Sequence, residues 1–182
     1  MESNVEYVEK YVILALGVKK EPMPSEIHMQ KELFILSNVK KDIQEHFNFE
    51  KHYLGPFSHT LYDVVESPVF VKNAFRVENG KIILMPSGQM EYNNINREYL
   101  KESKFKQLLI MLKMIRDIYD RLTKHEFLFL IYETYPQYTE FSNISNYLLK
   151  NLNVRKRIID SLFSKGIITE MRRKELLEEN LR

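Results

Sequence analysis

The sequence predicts a mainly α-helical protein with a small β-hairpin. A winged-helix-like N-terminal half is expected over residues 1–90, a linker or loose helix over 91–103, and a helical domain over 104–182 packed on the first. Three observations lead there. Apolar residues recur at helical spacing through most of the chain. One stretch, AFRVENGKIILM (74–85), sets two apolar runs on either side of Asn79-Gly80, the pair that suits a two-residue type I′ turn. With 182 residues, 44% of them hydrophobic and 29% charged, the chain is long and apolar enough to fold around a sizeable core.

Each element has its own local signal. Ser3 and Glu6 have capping-box spacing, Val5, Val8, Val12, Ala15 and Leu16 follow on one face, and Gly17 is placed to end the helix. Pro22 and Pro24 keep residues 21–24 extended, and Ser25 can cap a second helix with Ile27, Leu33, Phe34 and Leu36 inward. FNFEKHYL (47–54) alternates, which predicts a short strand with Phe47, Phe49 and Tyr53 on one side. Gly55-Pro56 marks a turn, and Ser58 caps a short helix that buries Leu61, Val64 and Val65. Ser67-Pro68 repeats the cap-then-proline pattern, and Pro86-Ser87-Gly88 ends the hairpin.

The second half reads as helices. Over 104–122, Phe105, Leu108, Leu109, Leu112, Ile115, Tyr119 and Leu122 share a face that Ile110, Met111, Met114 and Ile118 broaden. So wide a stripe predicts a central helix with neighbours on two sides; a second copy of the chain is the other candidate to cover it. Arg116 and Arg121 beside Asp117 and Asp120 read as surface pairing. Thr123 and Glu126 form a capping box for a helix that stops before Pro136. Ser142, Asn153 and Thr169 are placed to cap three further helices, the second ending at Gly166 and the third running through Leu181.

Composition excludes several classes. There is no cysteine, so disulfides, thiolate metal sites and a Cys nucleophile are out, and a reducing, cytoplasmic setting fits. MESNVEYVEK is acidic where a signal peptide would be basic, and no apolar run approaches the roughly 20 residues of a membrane span. His46, His52 and His59 lack metal-ligand spacing, and His28 with Glu32 reads as a surface hydrogen bond. No phosphate loop or nucleophile elbow appears, so neither an enzyme nor a cofactor is expected.

The charge is uneven. Residues 1–100 carry 11 Lys/Arg against 14 Asp/Glu, and residues 101–182 carry 16 against 11. Within 150–174 lie Lys150, Arg155, Lys156, Arg157, Lys165, Arg172, Arg173 and Lys174 against Asp160 and Glu170. Arg155, Lys156 and Arg157 near one helix start, and Arg172, Arg173 and Lys174 near the next across SKGIIT, have a helix-turn-helix layout. They are the nucleic-acid candidates, with Lys81 of the wing beside Lys72 and Arg76. Against them, cations at a helix start oppose its dipole, and Glu175, Glu178 and Glu179 would repel DNA. The partner-binding candidates are His52, Tyr53, Phe57 and His59, grouped around Gly55-Pro56.

HMQKELFIL (28–36) followed by HYLGPFS (52–58) resembles the paired motif of the antitoxin-associated Panacea domain and related prokaryotic proteins. Met29, Gln30, Lys31, Leu33 and Phe34 match its helix, and Gly55, Pro56, Phe57 and Ser58 its turn. Glu32 and Leu54 depart from it, where the pattern prefers an apolar residue and an aromatic. FRVENGKIILMPSG fits the strand that follows, and FLFLIYETYPQYTEFSNI with VRKRIIDSLFSKGIIT is similar to the helical tail of archaeal-type relatives. The resemblance spans about two-thirds of the chain, loosely. It implies a small non-enzymatic regulator, antitoxin-like or accessory, that binds a protein partner such as a toxin-like neighbour gene product, with DNA as the alternative partner.

Overall fold

The computed structural model describes residues 3–178. Met1, Glu2, Glu179 and the end of the helix expected through Leu181 lie outside the described residues. The chain is mainly helical with two small two-stranded antiparallel sheets. It divides into two compact units, residues 1–50 with 57–121, and residues 51–56 with 122–182. The expected borders near 90 and 104 are not where the units part.

The first unit opens with α1 (Asn4–Gly17), capped by Ser3, whose hydroxyl accepts the Glu6 N–H. Gly17 is the last residue of the helix, where an end was expected. Its missing Cβ makes room for the Tyr92 ring, which such an atom would meet at 2.2 Å. The extended segment then touches the later hairpin, because Met23 and Ile82 exchange both backbone hydrogen bonds. Next come α2 (Glu26–Val39), a 3-10 turn at Lys41–Ile43, and α3 (Gln44–Phe47). Phe47 therefore ends a helix; its ring stacks on Phe49 at 5.6 Å, whereas Tyr53 is exposed, so the three do not share a strand face.

Strands β1 (Glu50–His52) and β2 (Gly55–Phe57) form the first sheet. The turn falls at Tyr53-Leu54, one step before the expected Gly55-Pro56, and Gly55 enters β2 with φ +81°. α4 (His59–Glu66) buries Leu61, Val64 and Val65 as expected. No helix follows Ser67-Pro68. β3 (Phe75–Glu78) and β4 (Lys81–Leu84) pair with Phe75 opposite Leu84 and Glu78 opposite Lys81, and Asn79 and Gly80 have φ of +50° and +75°. Both values are positive, as a type I′ corner requires.

Of the two readings for the segment expected as a linker or loose helix, the structure shows a helix, α5 (Pro86–Tyr99), with Pro86 in its first turn. The Met85 N–H and the Ser87 hydroxyl bond the Ala74 and Asn73 carbonyls. A Cβ on Gly88 would lie 2.1 Å from the Ala74 carbonyl oxygen. Gly88→Ala is expected to cost about 1–3 kcal/mol through this backbone clash, measured by urea unfolding.

α6 (Ser103–Tyr119) completes the unit, with Leu108, Leu112 and Ile115 buried. Ile110, Met114 and Ile118 do not broaden its buried stripe; they are exposed. Arg116 is not a surface residue but fully buried.

α2 is enclosed on nearly every side. Besides Met29, Leu33, Phe34 and Leu36 it buries His28, Gln30, Lys31 and Glu32, while Ile27 is half-buried. His28 sits against the Ser25 hydroxyl at 2.8 Å, so its expected surface bond to Glu32 gives way to an internal one. Neither Glu32 oxygen receives a donor hydrogen bond, yet the carboxyl stands against Asp120. Lys19 and Arg116 already balance Asp117 and Asp120 in ion pairs. Burial, and then the Asp120 charge, push the Glu32 pKa well up against the pull of Arg116 and Lys19. A neutral Glu32 that donates its proton to Asp120 satisfies both observations.

A raised folded-state pKa stabilises fully below the unfolded carboxyl range, and that stability is lost as pH rises through the folded value. Glu32→Gln keeps a donor toward Asp120 without a titrating proton. The variant is expected to be more stable than the native chain at neutral pH, the gap closing toward pH 4 in urea titrations (an approximate limit set by the ordinary Glu range, about 4.3). A gap that does not change with pH would contradict the neutral carboxyl.

The second unit holds α7 (Lys124–Thr134), a 3-10 turn at Pro136–Thr139, α8 (Ser145–Lys150), α9 (Leu152–Ser164) and α10 (Glu170–Glu178). The Thr123–Glu126 capping box forms in full. Burial alone would raise the Glu126 carboxyl, but Lys165 at 2.7 Å, the Ser161 hydroxyl and Thr123 outweigh it and hold the pKa low. α8 begins three residues after Ser142, whose Oγ accepts the Ser145 N–H at 3.0 Å and meets the Tyr132 hydroxyl. Asn151, not Asn153, caps α9 by accepting the Val154 N–H. After α9 the chain turns at Gly166, φ +69°, with the Ile167 N–H returning to the Leu162 carbonyl. Thr169 caps α10 as expected. No helix among the described residues is long and apolar enough to cross a membrane.

Candidate protein interface

α4 is held at both ends by buried polar side chains. At its start Ser58 is buried, and its hydroxyl accepts the Leu61 N–H at 3.2 Å. The Gln30 amide of α2 takes both backbone groups of the same residue: Ser58 N–H donates to Oε1 at 2.9 Å, and Nε2 donates to the Ser58 carbonyl at 3.0 Å. Gln30 thus fixes where α4 begins.

Beyond its far end, the loop is gathered by Glu9 of α1. This buried carboxylate accepts N–H groups from Val69 at 2.7 Å, Phe70 at 3.0 Å and Val71 at 2.7 Å. Charge-assisted bonds of this kind are the stronger class. They leave the Val69 and Phe70 side chains outside, 64% and 49% exposed.

The outer face of α4 shows His59, Tyr62, Asp63 and Glu66. It carries no Lys or Arg. In the β3–β4 hairpin Arg76 is paired to Glu78 at 2.7 Å and Lys81 is exposed, and Lys72 is exposed in the loop just after Val71. Among the described residues no group of three or more His, Asp or Glu is placed to hold a metal ion.

The four expected partner-binding residues separate into two pairs. His52 and Tyr53 belong to the second unit, rings 4.9 Å apart, where the Tyr53 carbonyl accepts the Asn143 N–H. Phe57 and His59 belong to the first, edge to face at 5.0 Å, with Tyr62 5.8 Å from Phe57 and Glu50 2.9 Å from His59. Tyr62, in ring contact with Phe57, and the exposed Val69 and Phe70 beyond the other end of α4 are further candidates beside Phe57 and His59. Sequence reasoning missed them because nothing local marks Glu9 as the group that shapes this loop.

The expected nucleic-acid cations are mostly engaged elsewhere. Arg155 is buried: it pairs with Glu133, donates to the Leu176 carbonyl at 2.9 Å and lies over the Phe129 ring. Its role is to tie α10 to α7 and α9, so it is not a phosphate contact. Arg173 forks onto Asp160 at 2.7 and 2.9 Å and covers Phe163. Arg172 meets Glu175 at 3.0 Å, and Lys174 lies 3.9 Å from Glu170. Lys156 and Arg157 are exposed on α9. No family model, curated protein or solved structure matches this chain.

Proposed function

We propose that the chain is a non-enzymatic regulatory binding protein, antitoxin-like or accessory, that acts through a protein partner. The first unit is its winged-helix-like contact module, and α4 with the following loop is the contact face. One observation carries this reading: the helix where a winged helix would meet DNA has an outer face without Lys or Arg, set beside a firmly held apolar pair, Val69 and Phe70. Phosphate recognition needs cations on that face, whereas protein recognition needs anchored aromatic and apolar side chains ringed by polar ones. The order α1, Met23 bridge, α2, α4 and β3–β4 supports the winged-helix description.

Co-expression with the products of flanking genes tests it. A complex is expected that survives size exclusion. It should weaken by about tenfold or more in Phe70→Ser combined with Tyr62→Ala, the effect of truncating an interface hot spot. Lys156→Ala with Arg157→Ala should leave it unchanged. DNA binding that falls steeply with salt and is lost in Lys81→Ala or the Lys156/Arg157 pair would instead make the protein a transcriptional regulator.

A further inference from the structure

On another side of the first unit, α1, α5 and α6 enclose a cleft of about 260 Å³. Four aromatic rings line it, in two groups. Tyr7 and Tyr11, one turn apart on α1, have centroids 4.9 Å apart, and Tyr99 and Phe105 from the α5–α6 corner are 5.8 Å apart. Buried Leu14, Ile95 and Leu108 make the rest apolar.

Two carboxylates, Glu91 and Glu98, also line it, one α5 heptad apart. Glu91 accepts an Asn94 amide hydrogen at 3.3 Å, and Glu98 makes no ion pair among the described residues. One cation, Lys10, lines it as well, and its ammonium is met by Glu6 at 3.6 Å. The Tyr7 and Tyr11 hydroxyls share a hydrogen bond at 3.2 Å; burial, and then the neighbouring Tyr7, push the Tyr11 pKa upward.

Aromatic rings carry a negative face, and rings that surround a desolvated space attract an organic cation more than a neutral group of equal size. The acids leave the cleft with excess negative charge. We propose that this cleft binds an alkylammonium group, the chemistry shared by a lysine side chain and a small quaternary amine. Rings and apolar side chains enclose the alkyl part while Glu91 and Glu98 meet the charge.

NMR titration of the full chain tests this with three probes: choline, N-acetyl-lysine amide, and neohexyl alcohol, the neutral carbon isostere of choline. The expected result is saturable binding of a cation, with shifts confined to α1, α5 and the start of α6, and markedly weaker binding of the alcohol. Stronger binding of the lysine amide assigns the site to a partner's side chain, and stronger binding of choline assigns it to a small amine. Glu98→Gln and Tyr99→Leu should each weaken binding by roughly two- to thirtyfold, the range of a cation–π contact. Both residues are exposed, and the leucine keeps the apolar contact, so the fold is retained. Absence of saturable binding, equal binding of the alcohol, or indifference to both substitutions would overturn the proposal. None of these outcomes bears on the α4 interface, which its own variants test.

Discussion

Arg116→Met is expected to destabilise the protein by about 3–5 kcal/mol, the cost of removing one partner from a buried ion pair. The guanidinium has no solvent exposure. Nη1 donates to the Ala15 carbonyl at 3.0 Å, near the end of α1, and Nη2 to the Glu21 carbonyl at 2.9 Å, in the segment that leads to α2. Nε and Nη2 also bond Asp120, one turn on in the same helix. One planar group thus closes three pieces of backbone around a carboxylate. Methionine fills the volume of the stem but withdraws the guanidinium from both carbonyls and from Asp120, whose remaining cation is Lys19. Arg116→Lys should recover little, because an ammonium cannot present the same fork. Urea unfolding followed by circular dichroism measures both, and a loss below about 1 kcal/mol, the level of an exposed pair, would show that the guanidinium is not the closure described.

Glu9→Ala is the second large effect, about 2–4 kcal/mol, since three charge-assisted bonds are lost and the freed N–H groups recover only part of that from water. The loss should be local. Hydrogen exchange at Val69, Phe70 and Val71 should quicken while the α2 amides stay protected. Partner binding should fall with the loop, although Glu9 itself is buried away from any partner. Glu9→Gln keeps the shape and two acceptor lone pairs without the charge, and should lie between. Unchanged exchange at the three amides in Glu9→Ala would remove the carboxylate from its assigned role.

What was legible in the sequence is what neighbours in the chain decide. Asn79-Gly80, the Ser58 cap and the Thr123–Glu126 box each need only a few adjacent residues, and each stands where it was expected. Misreadings gather where a distant group decides. Gly17 does end α1, but nothing near it shows that Tyr92, far along the chain, needs its space. Residues 91–103 read as either a linker or a loose helix, and the linker alternative fails because Ile95 and Tyr92 give α5 an inner face that packs on α1. Arg116 and Arg155 looked like solvated charges, because the carbonyls and acids that meet them come from remote segments. For the candidate interface, Phe57 and His59 were visible through the Gly-Pro motif. Phe70 was not, because its presentation depends on Glu9.

The path of the chain has a practical consequence for anyone cutting the gene. The backbone passes from one unit to the other after Glu50, back after Pro56, and across again after Arg121. A clone that stops at 121 keeps Gly55 but loses Leu128, Ile131 and Tyr132, the side chains around it; one that starts at 122 loses the hairpin itself. Neither fragment is a whole piece, so ordinary truncation yields two damaged halves, and only a splice that moves 51–56 together with the C-terminal segment would separate them cleanly.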